Sequence, residues 1–367
     1  MNVYLVPGAV FQSILIGGGY GTGREIVEYF TQFGMGGGAY GLSLATMALA
    51  GILALTFELA RMSGTYDYRS FFITLIGRFW VAFEIVYVIG VLLVLAVLGA
   101  ASGEIVGDIT GLSARYGGTF MLVLVATLNF CGRNSVKRAL TLWPVALCGV
   151  FALYVIAVYV SRGDSLVMRL GEFDVRSGWA ASALTFSLYN AALGPIVLFA
   201  THSIQSRLQA LASGCIAAFI GMIPAFMFHI ALGAGYPDIV AESVPNYRLL
   251  EALHLPLLTL LFMVVLFGTF VETGAGLIQG INERIDSWLM QKRGRGAARF
   301  VHGIVSLIAL VVSSMLAPLG IVPLVADGYG TLAWLFLAVY IIPLATIGLW
   351  RLATEADRRA FQSASPR

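Results

Sequence analysis

Charged side chains are rare in the apolar stretches of this chain, and the few that occur there gather in two places. Arg24, Glu25 and Glu28 come directly after a glycine run, Gly17-Gly18-Gly19-Tyr20-Gly21-Thr22-Gly23. Far downstream, Thr269, Glu272, Thr273, Gly276, Gln279, Gly280 and Glu283 recur at spacings of three and four. That spacing lines hydroxyls, carboxylates and small residues along one face of an otherwise apolar helix. Ionisable groups in such surroundings are costly and mark candidate functional sites. Glu272, flanked by Thr269 and Thr273, offers the oxygen ligands that hard cations take, or a group to carry a proton; locking helices together is the alternative. A carboxylate that opens a helix is favoured by the helix dipole, whereas Arg24 opposes it and needs a partner. Arg24 and Glu25 therefore either face a substrate or form a structural pair. Glu58, three residues before Arg61, and Glu84, close to Arg78, suit local ion pairs. Tyr87 shares the helical face of Glu84 and is placed to line a cavity.

Soluble-enzyme chemistry finds no support. There is no Gly-x-Ser-x-Gly elbow and no Walker sequence. Gly36, Gly38 and Gly41 match a dinucleotide fingerprint in spacing alone, without the strand that the fingerprint requires. His202, His229, His254 and His302 lie in four separate segments without metal-ligand spacing, and no metal is expected beyond Na+. Cys131, Cys148 and Cys215 suggest neither a disulfide framework nor a metal site. No catalytic residue is assigned, and the net charge of +3 carries no implication of nucleic acid because the basic residues fall in loops.

The elements that hold these residues must cross a membrane. The chain is 59% hydrophobic and 11% charged, with mean hydropathy +0.88, against roughly 25% charged for a soluble domain. A span needs about 20 apolar residues. The pattern predicts ten: a first at 7–33, then 39–57, 85–103, 116–132, 139–161, 177–206, 208–237, 252–271, 300–326 and 328–350. The eighth is expected to continue to about 285 as a polar-faced helix. Placing the N-terminus inside puts 16 of the 22 basic residues in inner loops and the tail, so both termini are expected to be cytoplasmic. Two connecting segments, 69–76 and 245–254, read as surface helices, and the loop 237–251 is long enough for a lid.

Five glycines in seven positions divide the first span, since each costs roughly 1 kcal/mol of helix relative to Ala. Backbone unwound in hydrocarbon survives only where protein or a polar cavity surrounds it. The sixth span has its own interruption at Tyr189-Asn190-Ala191-Ala192-Leu193-Gly194-Pro195, where Pro195 removes a donor. Each break opens a five-helix half. Five is odd, so the halves, 8–161 and 177–352, enter from opposite sides as inverted repeats, with a tail at 353–367. Paired broken segments at corresponding positions of two halves point to a transporter's binding site.

The run from Ile16 through the glycines to Arg24-Glu25-Ile26, and then Phe30-Thr31-Gln32-Phe33-Gly34, resembles the start of the bacterial YkvI-like membrane protein family. That family reads as a Gly-rich turn, Gly-Gln-Glu and then Phe-x-x-Phe-Gly; Arg24 stands where Gln is usual. Leu188-Tyr189-Asn190 is similar too. The family is similar to the amino acid–polyamine–organocation superfamily, which implies an all-α LeuT-type five-plus-five fold in a bacterial inner membrane and a transport role, without naming a substrate. A small solute, amino acid or amine-like, is then expected against Gly17, Gly18, Gly19, Tyr20, Gly21, Thr22, Gly23, Arg24 and Glu25, with Tyr87, Tyr189, Asn190 and Gly194. Ile16, Gly19, Thr269, Glu272 and Thr273 are expected to hold a coupling ion, Na+ or H+; no other cofactor is implied. The alternatives are an uncoupled channel, or a sensor or accessory protein on the same fold. The oligomeric state is left open.

Overall fold

The computed structural model describes residues 2–131, 133–293 and 299–354. Most of the expected tail and the basic residues Arg295, Arg358, Arg359 and Arg367 lie outside the described residues. Among the described residues the secondary structure is helical, without strands. Eight helices among the described residues are long and apolar enough to cross a membrane, and Val3–Leu15 is a shorter apolar helix. Their outer faces are apolar: Leu257 is 80% exposed and Val160 77%, a surface that suits lipid and would aggregate in water.

The first expected span is three pieces, α1 (Asn2–Leu15), α2 (Gly18–Thr22) and α3 (Arg24–Tyr29). The glycine run is thus not unwound throughout. It breaks at its edges, where Gly17 is extended and Gly23, at φ +83°, adopts the left-handed conformation that glycine alone takes at little cost. Between them Gly18–Thr22 closes one helical turn. A loop residue starts α4 (Gly34–Ser63): Asp174 accepts from Met35 N at 2.9 Å through its side chain and from Gly36 N and Gly37 N through its carbonyl. The dinucleotide-like glycines pack helices instead. A Cβ on Gly38 would overlap the His229 ring, and one on Gly41 would press on Phe30.

The surface helix α5 (Tyr68–Ile76) comes next, capped by Asp67, then α6 (Trp80–Thr110), α7 (Ala114–Cys131) and α8 (Arg133–Glu172), which kinks at Arg162. The sixth span divides into α9 (Trp179–Asn190) and α10 (Leu193–Val197). The turn falls at Ala191–Ala192, before Gly194 and Pro195, because a proline is tolerated in the first turn of a new helix. α11 (Arg207–Gly233) starts at a capping box of Ser206 and Gln209, α12 (Pro245–Glu251) falls where a surface helix was expected but is mostly buried, and α13 (Pro256–Arg293) realises the expected long eighth helix. After α14 (Arg299–Leu316) the chain turns at Ala317-Pro318-Leu319-Gly320, not at the expected 326–328. Gly320 at φ +86° makes that turn. Asp327 and Gly328 therefore lie inside the last helix, α15 (Ile321–Thr354).

The helices sort into two packed groups. α1, α4, α9 and α11 pack on one another, and α6, α7, α13 and α14 do likewise, with α8 against α13. Small residues allow the first group to close: a Cβ on Gly214 of α11 would overlap the backbone of Ala54 in α4.

Candidate functional site

The two interrupted helices lie against each other in opposite senses, α1 on α10 and α3 on α9. At their breaks, between the two helix groups, lies a cavity of about 690 Å³, a volume suited to a small organic ligand. Of the residues singled out from sequence, Ile16, Gly17, Glu25, Tyr87, Tyr189 and Asn190 line it, together with Thr269, Glu272 and Thr273 of α13. Gly19, Tyr20, Gly21, Thr22, Gly23, Arg24 and Gly194 do not. Gly21 and Gly194 are packing positions, against Leu266 and Leu53 respectively. Tyr20 is fully buried, with its ring 6.0 Å from that of Phe228.

Glu25 is placed by the backbone around it. Gly23 turns the chain into α3, and the Glu25 carboxylate folds back over Gly19, whose missing Cβ leaves the room it occupies. The other carboxylate oxygen accepts a hydrogen bond from Tyr189 Oη at 2.6 Å. That bond ties the second part of one broken helix to the first part of the other. Tyr189 also faces the ring of Tyr329, at 4.9 Å between centroids, and Tyr329 lines the cavity. Tyr329 lay inside the tenth expected span, 328–350, but nothing in its local spacing set it apart from a packing aromatic. Its position in a continuous helix after the Pro318 turn was the signal available.

On the opposite wall Thr273 approaches the first break, 3.9 Å from where a Gly17 Cβ would stand. Thr269 Oγ1 donates to the Val265 carbonyl at 2.8 Å. Glu272 lines the cavity and has no hydrogen-bond partner among the described residues. Carbonyls at the first break are engaged within it: Gly17 O accepts from Gly21 N at 2.9 Å, and Gly19 O from Thr22 Oγ1 at 2.7 Å. Turn formation by Gly18–Thr22 accounts for both.

Behind Glu25 the residues Arg24, Tyr154 and Asn246 are almost fully buried. Arg24 reaches away from the cavity, donating through Nη1 to the carbonyls of Val240 at 2.9 Å and Glu242 at 3.0 Å, and pairing through Nη2 with Glu28 at 2.6 Å. Arg24 is therefore the structural member of the Arg24–Glu25 alternatives, and Glu25 the one at the cavity. Asn246 of α12 donates to the Gly21 carbonyl at 3.1 Å and accepts from Tyr154 Oη of α8 at 3.0 Å. The segment 237–251 is thus clamped to the glycine turn. The cavity runs along Ala9 and Gln12 on α1, Ile196 and Phe199 after the second break, and Gly280 on α13, toward the helix ends that carry Arg61, Arg207 and Arg284. At that end Arg61 grips Glu58 with two bonds of 2.7 Å. The partner of Glu84 is Arg284 at 3.4 Å rather than the neighbouring Arg78. Arg284 also lies 3.7 Å over the Tyr87 ring and 4.1 Å over that of Tyr68, a long-range arrangement that local spacing does not reveal. His229 bridges Thr31 and the Met35 carbonyl and is a packing residue.

The chain's structural neighbours are LeuT-fold transporters. The chain superposes on Mhp1, a nucleobase-cation-symport-1 family transporter in a closed conformation with bromovinylhydantoin bound (TM-score 0.57, 16% identity, 92% of this chain and 76% of that one). A mutant manganese transporter of Eremococcus coleocola gives TM-score 0.57 at 13% identity (94% and 78%). A Na+-coupled sialic acid symporter in a substrate-bound outward-open state gives 0.54 at 12% identity (94% and 87%). None of the three is an enzyme. In sequence the chain is similar to the uncharacterized membrane protein YkvI of Bacillus subtilis (strain 168), 23% identical over 364 residues and 95% of each chain. No protein-family model matches the chain.

Proposed function

We propose that this protein is a secondary active transporter that moves a small organic solute, amino acid or amine-like, by alternating access. The observation that carries this reading is the cavity at the meeting point of two broken helices, backed toward α12 by buried residues and continuing toward the start of α1. A binding site between two helix groups, sealed at one end at a time, is what rocking one group against the other requires. The antiparallel contact of α1 with α10 and of α3 with α9 supports inverted repeats at 8–161 and 177–352. With both termini cytoplasmic in a bacterial inner membrane, the cavity faces inward in this conformation. Glu25, Tyr189 and Asn190 are the residues proposed for the solute. Glu272, Thr269 and Thr273, beside the break at Gly17, are proposed for Na+ or H+.

The test is accumulation in proteoliposomes. Solutes that raise the melting temperature of the purified protein are offered under imposed Na+ or proton gradients. A transporter concentrates one of them above its outside level and loses that ability when an ionophore collapses the gradient. Flux that stops at equilibrium identifies a channel, and binding without flux a sensor.

A further inference from the structure

We infer that the cavity selects an organic cation, a protonated amine without a carboxylate, over an amino acid zwitterion or an anion; the inference deepens the transport reading and rests on it for passage of the bound cation across the membrane. Among the described residues that line the cavity there is no Lys, Arg or His, and the charged ones are Glu25 and Glu272. A substrate carboxylate would meet two like charges and no compensating cation, an arrangement that a site of low dielectric disfavours most strongly.

The glycine turn would be the natural cradle for an anion, and two observations remove it from that role. The Glu25 carboxylate already covers Gly19, in the space that a Cβ there would claim. Arg24, the adjacent cation, is committed elsewhere, to the Val240 and Glu242 carbonyls and to Glu28, with 2% of its surface exposed. What the turn presents to the cavity is negative. Beside Glu25 stand the rings of Tyr189 and Tyr329, whose faces attract cations. The remaining wall is largely apolar, with Leu332 and Phe336 on α15 and Val91 and Val94 on α6. An ammonium group at Glu25 with a hydrocarbon body along that wall satisfies both halves of the cavity. Glu272, on the opposite wall, is left for a second cation.

Two matched ligand sets test this by calorimetry on the purified full chain: phenethylamine, phenylalanine and 3-phenylpropionate, and n-pentylamine, norleucine and hexanoate. Within each set the apolar body is shared and only the charged groups differ. The amine of at least one set is expected to bind, with its zwitterion and anion weaker by about tenfold or more. Glu25→Gln is expected to weaken amine binding by about tenfold or more, the loss of a charge-assisted contact. If Glu25→Gln does not fold, Glu25→Asp keeps the charge and is expected to keep the preference for the amine. Equal or tighter binding of a zwitterion or anion, parent-like amine binding by Glu25→Gln, loss of the preference in Glu25→Asp, or no binding by either amine overturns the inference. Amine binding without flux in proteoliposomes would sink the transport reading and leave the cation site standing. Flux of an amino acid without amine binding would do the reverse.

Discussion

Gly19 and Glu25 share one small volume, and the site depends on the first having no side chain. In Gly19→Ala the new methyl group displaces the Glu25 carboxylate, even though Ala favours a helical turn by roughly 1 kcal/mol. Amine binding should fall by about tenfold, read by calorimetry, and Glu25→Asp in the same chain should restore part of it by shortening the side chain. Unchanged binding in Gly19→Ala would mean that Glu25 does not hold the ligand from this position. Glu272 answers a separate question. In Glu272→Gln a Na+ site loses Na+ affinity, whereas a proton site loses the pH dependence of uptake while substrate exchange continues. Counterflow with Na+ and pH varied independently separates the two, and parent-like behaviour in every condition makes Glu272 structural. Glu25 and Glu272 were legible in the sequence because a carboxylate in an apolar stretch announces itself. Asn246, Tyr154 and Arg284 were not, since their importance lies in partners 225, 92 and about 200 residues away, and no local pattern encodes such pairings.

The decisive element is the short turn α2 with its two hinges, held by α3 on one side and α12 on the other. Arg24 does most of the holding at α3, and Arg24 and Glu28 are little exposed, at 3% and 19% of their side chains. Arg24→Ala leaves Glu28 without its cation and two loop carbonyls without their donor. Breaking such a buried pair should cost about 3 kcal/mol, measurable as a lowered melting temperature. Arg24→Lys should recover little, because a single ammonium cannot serve three acceptors in a planar fork. The exposed network of Arg248 with Glu242, Glu251 and Asp108 should contribute far less and fade with salt. Hydropathy located the long α13 and short helices near 69–76 and 245–254, though the second of these is mostly buried rather than on the surface. The errors arose where backbone conformation outranks hydropathy. Glycines at the first break closed a turn rather than unwinding, and the last loop was drawn to Gly320 by its left-handed backbone instead of to Asp327.

At the scale of the whole molecule, alternating access requires the group of α1, α4, α9 and α11 to move against the group of α6, α7, α13 and α14, exposing one cavity to each side in turn. The Asn246 clamp is the contact to release, since it joins α12, α2 and α8 behind Glu25. Leu193 is a suitable reporter: it lines the cavity just after the second break and carries no proposed chemistry. The measurement is labelling of Leu193→Cys, with Cys131, Cys148 and Cys215 replaced by Ala, by a membrane-impermeant maleimide applied to each face of oriented vesicles. Labelling is predicted from the face at which α1 begins, with protection from the other. Adding Asn246→Ala is predicted to transfer reactivity to the opposite face while the first face loses it. Labelling from both faces at once, or a pattern that Asn246→Ala leaves unmoved, would contradict alternating access.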